Sequence, residues 1–307
     1  MSLNIIFMGT PEFSINSLDK IYNSPHQIIG VYTQPAKKKS RGQKIENSPV
    51  YNKAKELNLK IRCPESLNNQ EEYNILKNNL PDVVVVVAYG QIIPKKILEI
   101  PNIVFINLHA SLLPRWRGAS PIQRAIQNRD KETGVSIMKI VNELDAGPFI
   151  KQEKVSIKSS TTFTELSDTL SILGAKILLD CLNLIENKNV KYIEQDHKKA
   201  TYAKKIQKAE GKINWNKKAE DLVAQINSLS RVPGAWFELD KNRYKILKAL
   251  EVKGKFGQPG EVLDENLVIG CYQNSIQILE LQREGKKAMS ASQFLIGNKV
   301  KKGTKLT

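Results

Sequence analysis

The chain is short of the residues from which disulfide frameworks and metal sites are built. Its 307 residues include three cysteines and three histidines. Cys63, Cys181 and Cys271 are odd in number and far apart, so their spacing supports neither a disulfide framework nor a zinc site. We therefore expect three packing cysteines and a protein without a bound metal.

Long apolar runs and phosphate-binding glycine motifs are also missing. No run approaches the roughly 18 apolar residues that a membrane span needs, and the N-terminus lacks the basic and apolar segments of a secretory signal. No GxGxxG or Walker-type motif occurs, which argues against a dinucleotide or ATP site. We expect a cytoplasmic protein that does not contact a membrane, and we expect a monomer.

Positive charge, by contrast, is abundant, with a formal net charge of +16 at pH 7. One acid-free cluster follows Pro35 and contains Lys37, Lys38, Lys39, Arg41 and Lys44. A second contains Lys198, Lys199, Lys204, Lys205 and Lys208, and residues 206–307 also hold more Lys and Arg than Asp and Glu. A lysine-rich proteome could produce a basic composition, but clustering of this kind indicates a polyanionic partner.

Strand-like and helical patterns alternate over the first two thirds of the chain. Apolar strand-like runs occur at 3–8, 27–33, 60–62, 82–87, 103–109 and 134–141, and helical patterns at 48–57, 70–79, 120–128 and 164–187. Such alternation predicts an α/β fold with a doubly wound parallel sheet. After the first strand, Thr10 is predicted to cap a helix that has Pro11 at its first position.

The pattern changes near residue 211. One helical segment at 219–229 is followed by short strand-like runs at 235–239, 244–252, 260–263, 267–270 and 276–282. Glycine, proline, aspartate and asparagine separate these runs, which is compatible with a small five-stranded barrel. We therefore predict an α/β domain over 1–188, a polar, lysine-rich linker over 189–205 and a second domain over 206–307.

Polar residues that could carry chemistry follow two of the predicted strands. Asn107 and His109 lie two positions apart, so they share a face at the carboxyl end of one strand. Asp145 lies in a polar cluster that follows the run 134–141. If the two strands are parallel, these side chains meet where open α/β sheets place their ligands. Taken alone, the first stretch could equally be a solvated loop with a chance histidine.

Several of these stretches together resemble the methionyl-tRNA formyltransferase family. The matching stretches run in order over essentially the whole chain: Phe7–Phe13, Asn107–Gly118, Glu132–Val135, Leu144-Asp145 and Gly285–Ser290. The resemblance implies a doubly wound formyltransferase domain followed by an OB-like β-barrel. It also implies transfer of a formyl group from 10-formyltetrahydrofolate to the methionine amino group of initiator tRNA. One segment departs from the family's pattern: Leu229–Pro233 stands where Asn-Pro, an aromatic residue and proline are usual.

The resemblance also implies roles for individual residues. It assigns catalysis to Asn107, His109 and Asp145. Their chemistry suits formyl transfer, since an amide can stabilise an oxyanion, an imidazole can move a proton and a carboxylate can orient that imidazole. It assigns tetrahydrofolate binding to Ser111, Leu112, Leu113 and Pro114. We expect Ala88, Tyr89, Gly90 and Glu143 to line the same pocket, because they end neighbouring strands. The basic loop Lys37–Lys44 is expected to bind the acceptor end of tRNA, with Arg41 best suited to phosphate.

Other functions remain open at this point. The chain could be another folate-dependent formyltransferase, acting on a sugar nucleotide or glycinamide ribonucleotide, or a formyl-folate hydrolase. A small substrate needs neither the basic loop nor a basic second domain, which disfavours both. An RNA-binding module with a vestigial catalytic domain is a further alternative, and the intact Asn107, His109 and Asp145 argue against it.

Overall fold

The computed structural model describes residues 2–39, 44–298 and 300–307, which form two compact units. Unit 1 comprises the described residues of Met1–Gly118, Gly134–Val155 and Asp168–Tyr202, and unit 2 comprises Ala119–Thr133, Ser156–Ser167 and Ala203–Thr307. Residues 189–202, within the predicted linker, are therefore part of unit 1.

The strands up to unit 2's sheet are, in chain order, β1 (Asn4–Gly9), β2 (Gln27–Tyr32), β3 (Lys37–Lys39), β4 (Lys44–Glu46), β5 (Ile61–Arg62), β6 (Val83–Val87), β7 (Val104–His109), β8 (Arg117–Gly118), β9 (Glu132–Lys139), β10 (Phe149–Ser156) and β11 (Tyr202–Ala203). The helices over the same part are α1 (Ile15–Tyr22), α2 (Pro49–Glu56), α3 (Gln70–Asn79), α4 (Lys95–Leu98), α5 (Pro121–Gln127) and α6 (Phe163–Glu186). The helix predicted over 70–79 has the predicted bounds.

Seven strands form one sheet in the order β10-β9-β7-β6-β1-β2-β5. Pairing is parallel between β1 and β2, β1 and β6, β6 and β7, and β2 and β5. Val83–Val87 is buried throughout, as expected of a central strand covered on both faces. The predicted α/β domain with a parallel sheet is confirmed.

At one edge, however, the sheet is not parallel. Strand β9 runs antiparallel to β7, with Asn107 opposite Met138 and His109 opposite Ser136. The expectation of two parallel strands here is wrong. The apolar pattern of a strand is the same in either direction, and the sequence reasoning did not recognise β10, the hairpin partner of β9. Gly134 permits their close approach, since a Cβ there would lie 2.0 Å from the Glu153 carbonyl oxygen.

The start of the first helix also differs from expectation. A short 3-10 turn, Glu12–Ser14, precedes α1, and the residue at its cap is Pro11. The Thr10 hydroxyl instead donates to the Tyr89 carbonyl oxygen at 2.7 Å. Thr10 is therefore not a helix cap. It ties the end of β1 to the segment that follows β6.

The ends of the predicted basic loop form a hairpin. Strands β3 and β4 pair antiparallel, with Lys37 opposite Glu46 and Lys39 opposite Lys44. The predicted basic loop therefore begins in one short strand and ends in another, and Arg41 lies outside the described residues. The Lys37 ammonium group donates to the Gln34 side-chain oxygen.

Unit 2 contains a sheet whose described strand pairs all run antiparallel. Its strands are β12 (Ala235–Leu239), β13 (Asn242–Val252), β14 (Val268–Gly270), β15 (Ser275–Arg283) and β16 (Met289–Ser290), and its later helices are α7 (Ala219–Ser228) and α8 (Ala291–Gly297). The order is β12-β13-β15-β14, and β16 pairs with β15. Residues 260–263 form only isolated bridges, so the strand predicted there is wrong. Within the described residues the pairing does not close into a barrel.

Aromatic packing organises the core of unit 2. The Phe237 ring stacks on the Tyr244 ring with centroids 5.6 Å apart, and the Trp215 and Phe294 rings meet this pair edge-on. Each of these four side chains is buried. Such pairs add to the free energy gained from burial alone, so they stabilise the small sheet.

Membrane-spanning helices and metal-ligand clusters are both absent from the described residues. No helix in the described parts of the chain has both the length and the apolar character needed to cross a membrane. Residues 2–39, 44–298 and 300–307 contain no group of three or more His, Cys, Asp or Glu side chains arranged to hold a metal ion.

Candidate active site

The register of the sheet brings the carboxyl ends of three parallel strands together. Across the sheet, Met8 pairs with Val86, Val86 with Asn107, and Asn107 with Met138. Phe105 lies two positions before Asn107 and packs in a buried cluster on one face of the sheet. Because strand side chains alternate, Asn107 and His109 point to this face near the strand end.

His109 is buried and has an oxygen atom near each ring nitrogen. Its Nε2 lies 2.9 Å from the Trp116 carbonyl oxygen, and its Nδ1 lies 3.6 Å from the Asp145 carboxylate. The same carboxylate oxygen accepts a hydrogen bond from the Gly118 amide at 2.7 Å. The Trp116 carbonyl oxygen is within hydrogen-bonding distance of the ring, whereas the Asp145 carboxylate, at 3.6 Å, is a neighbouring negative charge rather than a hydrogen-bond partner. The two groups together fix the orientation of the imidazole ring.

Asn107 differs from His109 in having an unused side chain. It is half-buried, and its amide has no hydrogen-bond partner within the described residues. A carboxamide has two donors and an acceptor to satisfy, so Asn107 can bind a group that enters the site. The structure thus brings Asp145 to His109 and places Asn107 two positions earlier on the same strand.

The turn Ser111–Pro114 follows directly and is held from inside the protein. Ser111 is fully buried, and its hydroxyl donates to the Arg115 carbonyl oxygen at 2.6 Å. Leu113 is also buried, whereas Leu112 and Pro114 are half-buried. Ser111 and Leu113 therefore shape the turn, and Leu112 and Pro114 are the side chains that can offer apolar surface to a ligand.

The segment Ala88–Gly90 follows β6. Ala88 and Gly90 are exposed and have left-handed backbones, with φ angles of 48° and 83°. The Gln34 amide donates to the carbonyl oxygens of Tyr89, at 3.2 Å, and Gly90, at 2.7 Å. A Cβ at Gly90 would lie 2.4 Å from the Gln34 nitrogen, so both space and φ favour glycine there. Glu143 is exposed in the loop between β9 and β10.

Tyr89, by contrast, turns into the protein interior. Its side chain is 1% exposed and belongs to the same buried cluster as Phe105. Burial, reinforced by the nearby Glu72 carboxylate, raises the pKa of the Tyr89 hydroxyl. The hydroxyl therefore stays protonated. Tyr89 can reach a ligand through its backbone but not through an exposed ring.

Two groups of residues around the site were missed by the sequence reasoning. Ser136 and Gln152 hold the turn that contains Leu113. The polar segment 195–201 contacts the residues that flank His109. Nothing in the sequence marks either group, because a lone serine in a strand and a glutamine in a lysine-rich stretch have many possible roles.

Comparison with family models finds two matches along the chain. Residues 3–182 match the model described as formyl transferase, and residues 205–299 match the model described as formyl transferase, C-terminal domain. Among curated proteins, the methionyl-tRNA formyltransferase of Pelagibacter ubique is 48% identical, over 100% of this chain and 99% of that protein. The methionyl-tRNA formyltransferase of a Chelativorans species is 43% identical over the full length of both.

Solved structures share the fold at lower identity. An N-formyltransferase from Helicobacter canadensis, in complex with folinic acid and dTDP-3-aminofucose, gives a TM-score of 0.69 at 20% identity, covering 90% of this chain and 98% of that one. HypX from Aquifex aeolicus, in complex with tetrahydrofolic acid, gives 0.63 at 15% identity over 96% of this chain and 47% of that one. At these identities the likeness concerns the fold alone.

The hydrogen bonds of Ser136 predict a loss of stability when its hydroxyl is removed. This hydroxyl donates to the Ser111 carbonyl oxygen and accepts from the Leu113 amide and the Gln152 amide. Ser136→Ala removes the partner of the buried Ser111 carbonyl and of the Leu113 amide, while the Gln152 amide keeps its bond to the Leu113 carbonyl oxygen, so we expect the free energy of unfolding to fall by about 1–3 kcal/mol. Urea denaturation measures it.

The matched control for this change is Ser66→Ala. The Ser66 hydroxyl accepts one exposed hydrogen bond, from the Asn68 amide, which water can replace. We expect its unfolding free energy to stay within about 0.5 kcal/mol of the parent. Equal unfolding free energies for the two variants would contradict the role given to Ser136.

Proposed function

Because the chain belongs to the methionyl-tRNA formyltransferase family, we propose that it transfers the formyl group of 10-formyltetrahydrofolate to the free amino group of methionyl-initiator tRNA, for translation initiation. The observation that carries this proposal is the full-length identity to relatives of that name. The proximity of His109 and Asp145, beside Asn107 at the carboxyl end of β7, supports it.

The proposed reaction is a direct attack by the amine. The lone pair of the neutral methionyl nitrogen forms a bond to the formyl carbon, and the carbonyl electron pair moves to oxygen. The amine then loses a proton and N10 of the folate gains one. The electron pair on oxygen re-forms the carbonyl as the bond between the formyl carbon and N10 breaks, and the electron pair of that bond stays on N10. The products are N-formylmethionyl-tRNA and tetrahydrofolate, so atoms and charge balance.

Each of the three site residues has a role that fits its surroundings. Asn107 donates its unused amide to the oxyanion, and a donor of this kind can contribute about 3 kcal/mol. His109 in its charged form stabilises the same oxyanion and supplies a proton to N10. Asp145 offsets the imidazolium charge, and the 3.6 Å contact between them shortens when substrate binds.

The residues around the strand ends fit a flat folate ring. Leu112 and Pro114 offer apolar surface, while Ala88, Gly90 and Glu143 are exposed on neighbouring segments. Exposed backbone N–H and C=O groups at such strand ends can pair with the polar edge of a pterin. Ser111, Leu113 and Tyr89, which are buried, keep these segments in place and bind folate at most through their backbones.

The tRNA contacts are proposed from charge. Lys37, Lys38, Lys39, Arg41 and Lys44 form the proposed site for the acceptor end, and the segment 206–307 adds further positive charge. We keep the predicted boundaries of 1–188, 189–205 and 206–307 as a proposal, together with an OB-like arrangement of the second domain. A cytoplasmic monomer remains our expectation.

A transfer assay tests the function. The purified protein is given 10-formyltetrahydrofolate with a labelled formyl group and one of four acceptors: methionyl-initiator tRNA, uncharged tRNA, free methionine or a nucleotide-linked amino sugar. The proposal requires label to appear on methionyl-tRNA and on none of the others. Labelling of the amino sugar alone would establish the sugar-nucleotide alternative instead.

In this assay, His109→Ala and Asp145→Asn should each lower the rate of transfer by about two orders of magnitude or more, because each removes part of the proton-transfer pair. Folate binding, measured by fluorescence or calorimetry, should remain within about threefold of the parent. Asp19→Asn, which changes a surface ion pair with Lys53, is the matched control and should retain the parent rate. A parent-like rate in either site variant would exclude these roles.

The basic hairpin predicts a salt dependence of tRNA binding. Each phosphate contact contributes about 0.7–0.9 to the slope of log K against log salt, so replacing Lys38, Lys39 and Arg41 by glutamine should reduce that slope by about two. The KM for tRNA should rise, and the KM for the formyl donor should hardly change. A salt titration of tRNA binding measures the slope.

A change of three other cations to glutamine, elsewhere on unit 1, provides the control. Lys55, Lys60 and Lys77 are exposed, and none lies in the hairpin. Replacing them by glutamine lowers the net charge equally, so it separates a local contact from the general effect of charge. Superimposable curves for both triple variants would remove the hairpin from the tRNA site.

A further inference from the structure

Both protein groups that flank the ring nitrogens of His109 come from residues with an unusual backbone. Trp116, whose carbonyl oxygen faces Nε2, has a φ of 60°, and Asp145, whose carboxylate faces Nδ1, has a φ of 47°. The left-handed region is unfavourable for residues other than glycine. Such conformations persist when the surrounding structure determines them strongly, so other contacts must hold Trp116 and Asp145.

One of these contacts is the side chain of Gln195. Its amide nitrogen donates to the carbonyl oxygens of Asp145, at 2.9 Å, and Gly147, at 2.6 Å. Its amide oxygen accepts from Arg117 Nε at 3.0 Å and Nη2 at 2.7 Å. Both donors and both acceptor lone pairs of this carboxamide are therefore used. Gln195 is 4% exposed, so water does not compete for these bonds.

The second contact is Thr201, six positions further along. Its hydroxyl accepts a hydrogen bond from the Trp116 amide at 2.9 Å. Its backbone carbonyl accepts from the Arg117 amide at 2.8 Å, and its backbone amide donates to the Pro114 carbonyl oxygen at 3.3 Å. Thr201 thus fixes the turn whose Trp116 carbonyl faces His109.

Arg117 connects the two ends of this arrangement. Its side chain is 3% exposed, and besides Gln195 it donates to His197 Nδ1 at 3.2 Å. The backbone of Arg117 is held by Thr201, while its guanidinium holds Gln195. The two contacts therefore act on one connected network.

We propose that the segment 195–201 is the positioning element of the active site, with Gln195 and Thr201 as positioning residues that hold Asp145 and Trp116 against His109. The segment touches no reacting atom in this proposal, which rests on the proposed function. It acts by fixing the two groups that orient the imidazole ring, the Trp116 carbonyl and the Asp145 carboxylate.

Gln195→Glu is the sharpest test, because the two side chains have nearly the same shape. The carboxylate still accepts from Arg117 but has no N–H to donate to Asp145 and Gly147. We expect kcat to fall by about tenfold to a hundredfold, the scale of a small misplacement of catalytic groups. The KM values for tRNA and for the formyl donor should stay within about twofold of the parent, since no binding group is removed.

Thr201 provides an independent pair of variants. Thr201→Val keeps the shape but removes the acceptor for the Trp116 amide, whereas Thr201→Ser keeps the acceptor. We expect the valine variant to lose kcat and the serine variant to retain it. If Gln195→Glu does not fold, as shown by circular dichroism and thermal unfolding, this pair decides the question.

The outcomes distinguish positioning from a purely structural role. Gln70→Glu is the control, because Gln70 is exposed in unit 1 and its side chain, among the described residues, donates to Asn74 alone. A folded Gln195→Glu protein with the kcat of this control overturns the proposal, as does a loss confined to KM. Failure of the parent protein to formylate methionyl-tRNA overturns the proposed function instead, so the two failures are separate.

Discussion

The site depends on how strand β7 is paired. It has a parallel neighbour, β6, on one side and an antiparallel neighbour, β9, on the other. The parallel side aligns the ends of β1, β6 and β7, where Asn107 and His109 lie. The antiparallel side supplies Ser136 opposite His109. A slip of one residue in either pairing would turn Asn107 and His109 to the opposite face, so register is the first requirement of the chemistry.

The opposite face of β7 shows why this register is well defined. Leu108, between the two polar residues, packs against α6 at Gly174, where a Cβ would lie 2.6 Å from Leu108 Cδ1. The glycine allows the helix to approach the strand closely. Leu108 is buried on one face of β7, and Asn107 and His109 lie on the other. A shift of one residue would expose Leu108 and bury the unpaired amide of Asn107, which is unfavourable.

Much of the α/β fold could be predicted from the sequence, since continuous β-branched runs and helical periodicity mark β6 and α3 clearly. Asn107, His109 and Asp145 could also be proposed, because polar residues after apolar strands are conspicuous. Strand direction could not, because apolar alternation is the same forwards and backwards, and β9 was assigned the wrong one. The ends of the basic loop were missed as strands because lysine is depleted in strands and these short runs show no apolar alternation.

The residues that hold the site from behind could not be predicted from the sequence, for a different reason. A glutamine such as Gln195 or a serine such as Ser136 acquires its role only when folding brings carbonyl and amide groups to it. The prediction of a barrel had a similar difficulty. Short apolar runs separated by turn residues indicate a small sheet, but they show neither every strand nor whether the sheet closes. Residues 260–263 make only bridges, whereas Met289–Ser290 forms a strand that was not predicted.

The hydrogen bonds to the segment 195–201 join residues that are far apart in the sequence. The contact from Gln195 to Asp145 spans 50 positions, that to Arg117 spans 78, and the contact from Thr201 to Trp116 spans 85. Contacts of such separation form late, after local structure has appeared. A growing chain that has emerged only as far as α6 can contain the strand with Asn107 and His109, yet it lacks the bonds that hold their neighbours. If the segment 195–201 positions the site as we propose, formyl transfer requires the synthesis of a segment that begins 86 residues after His109.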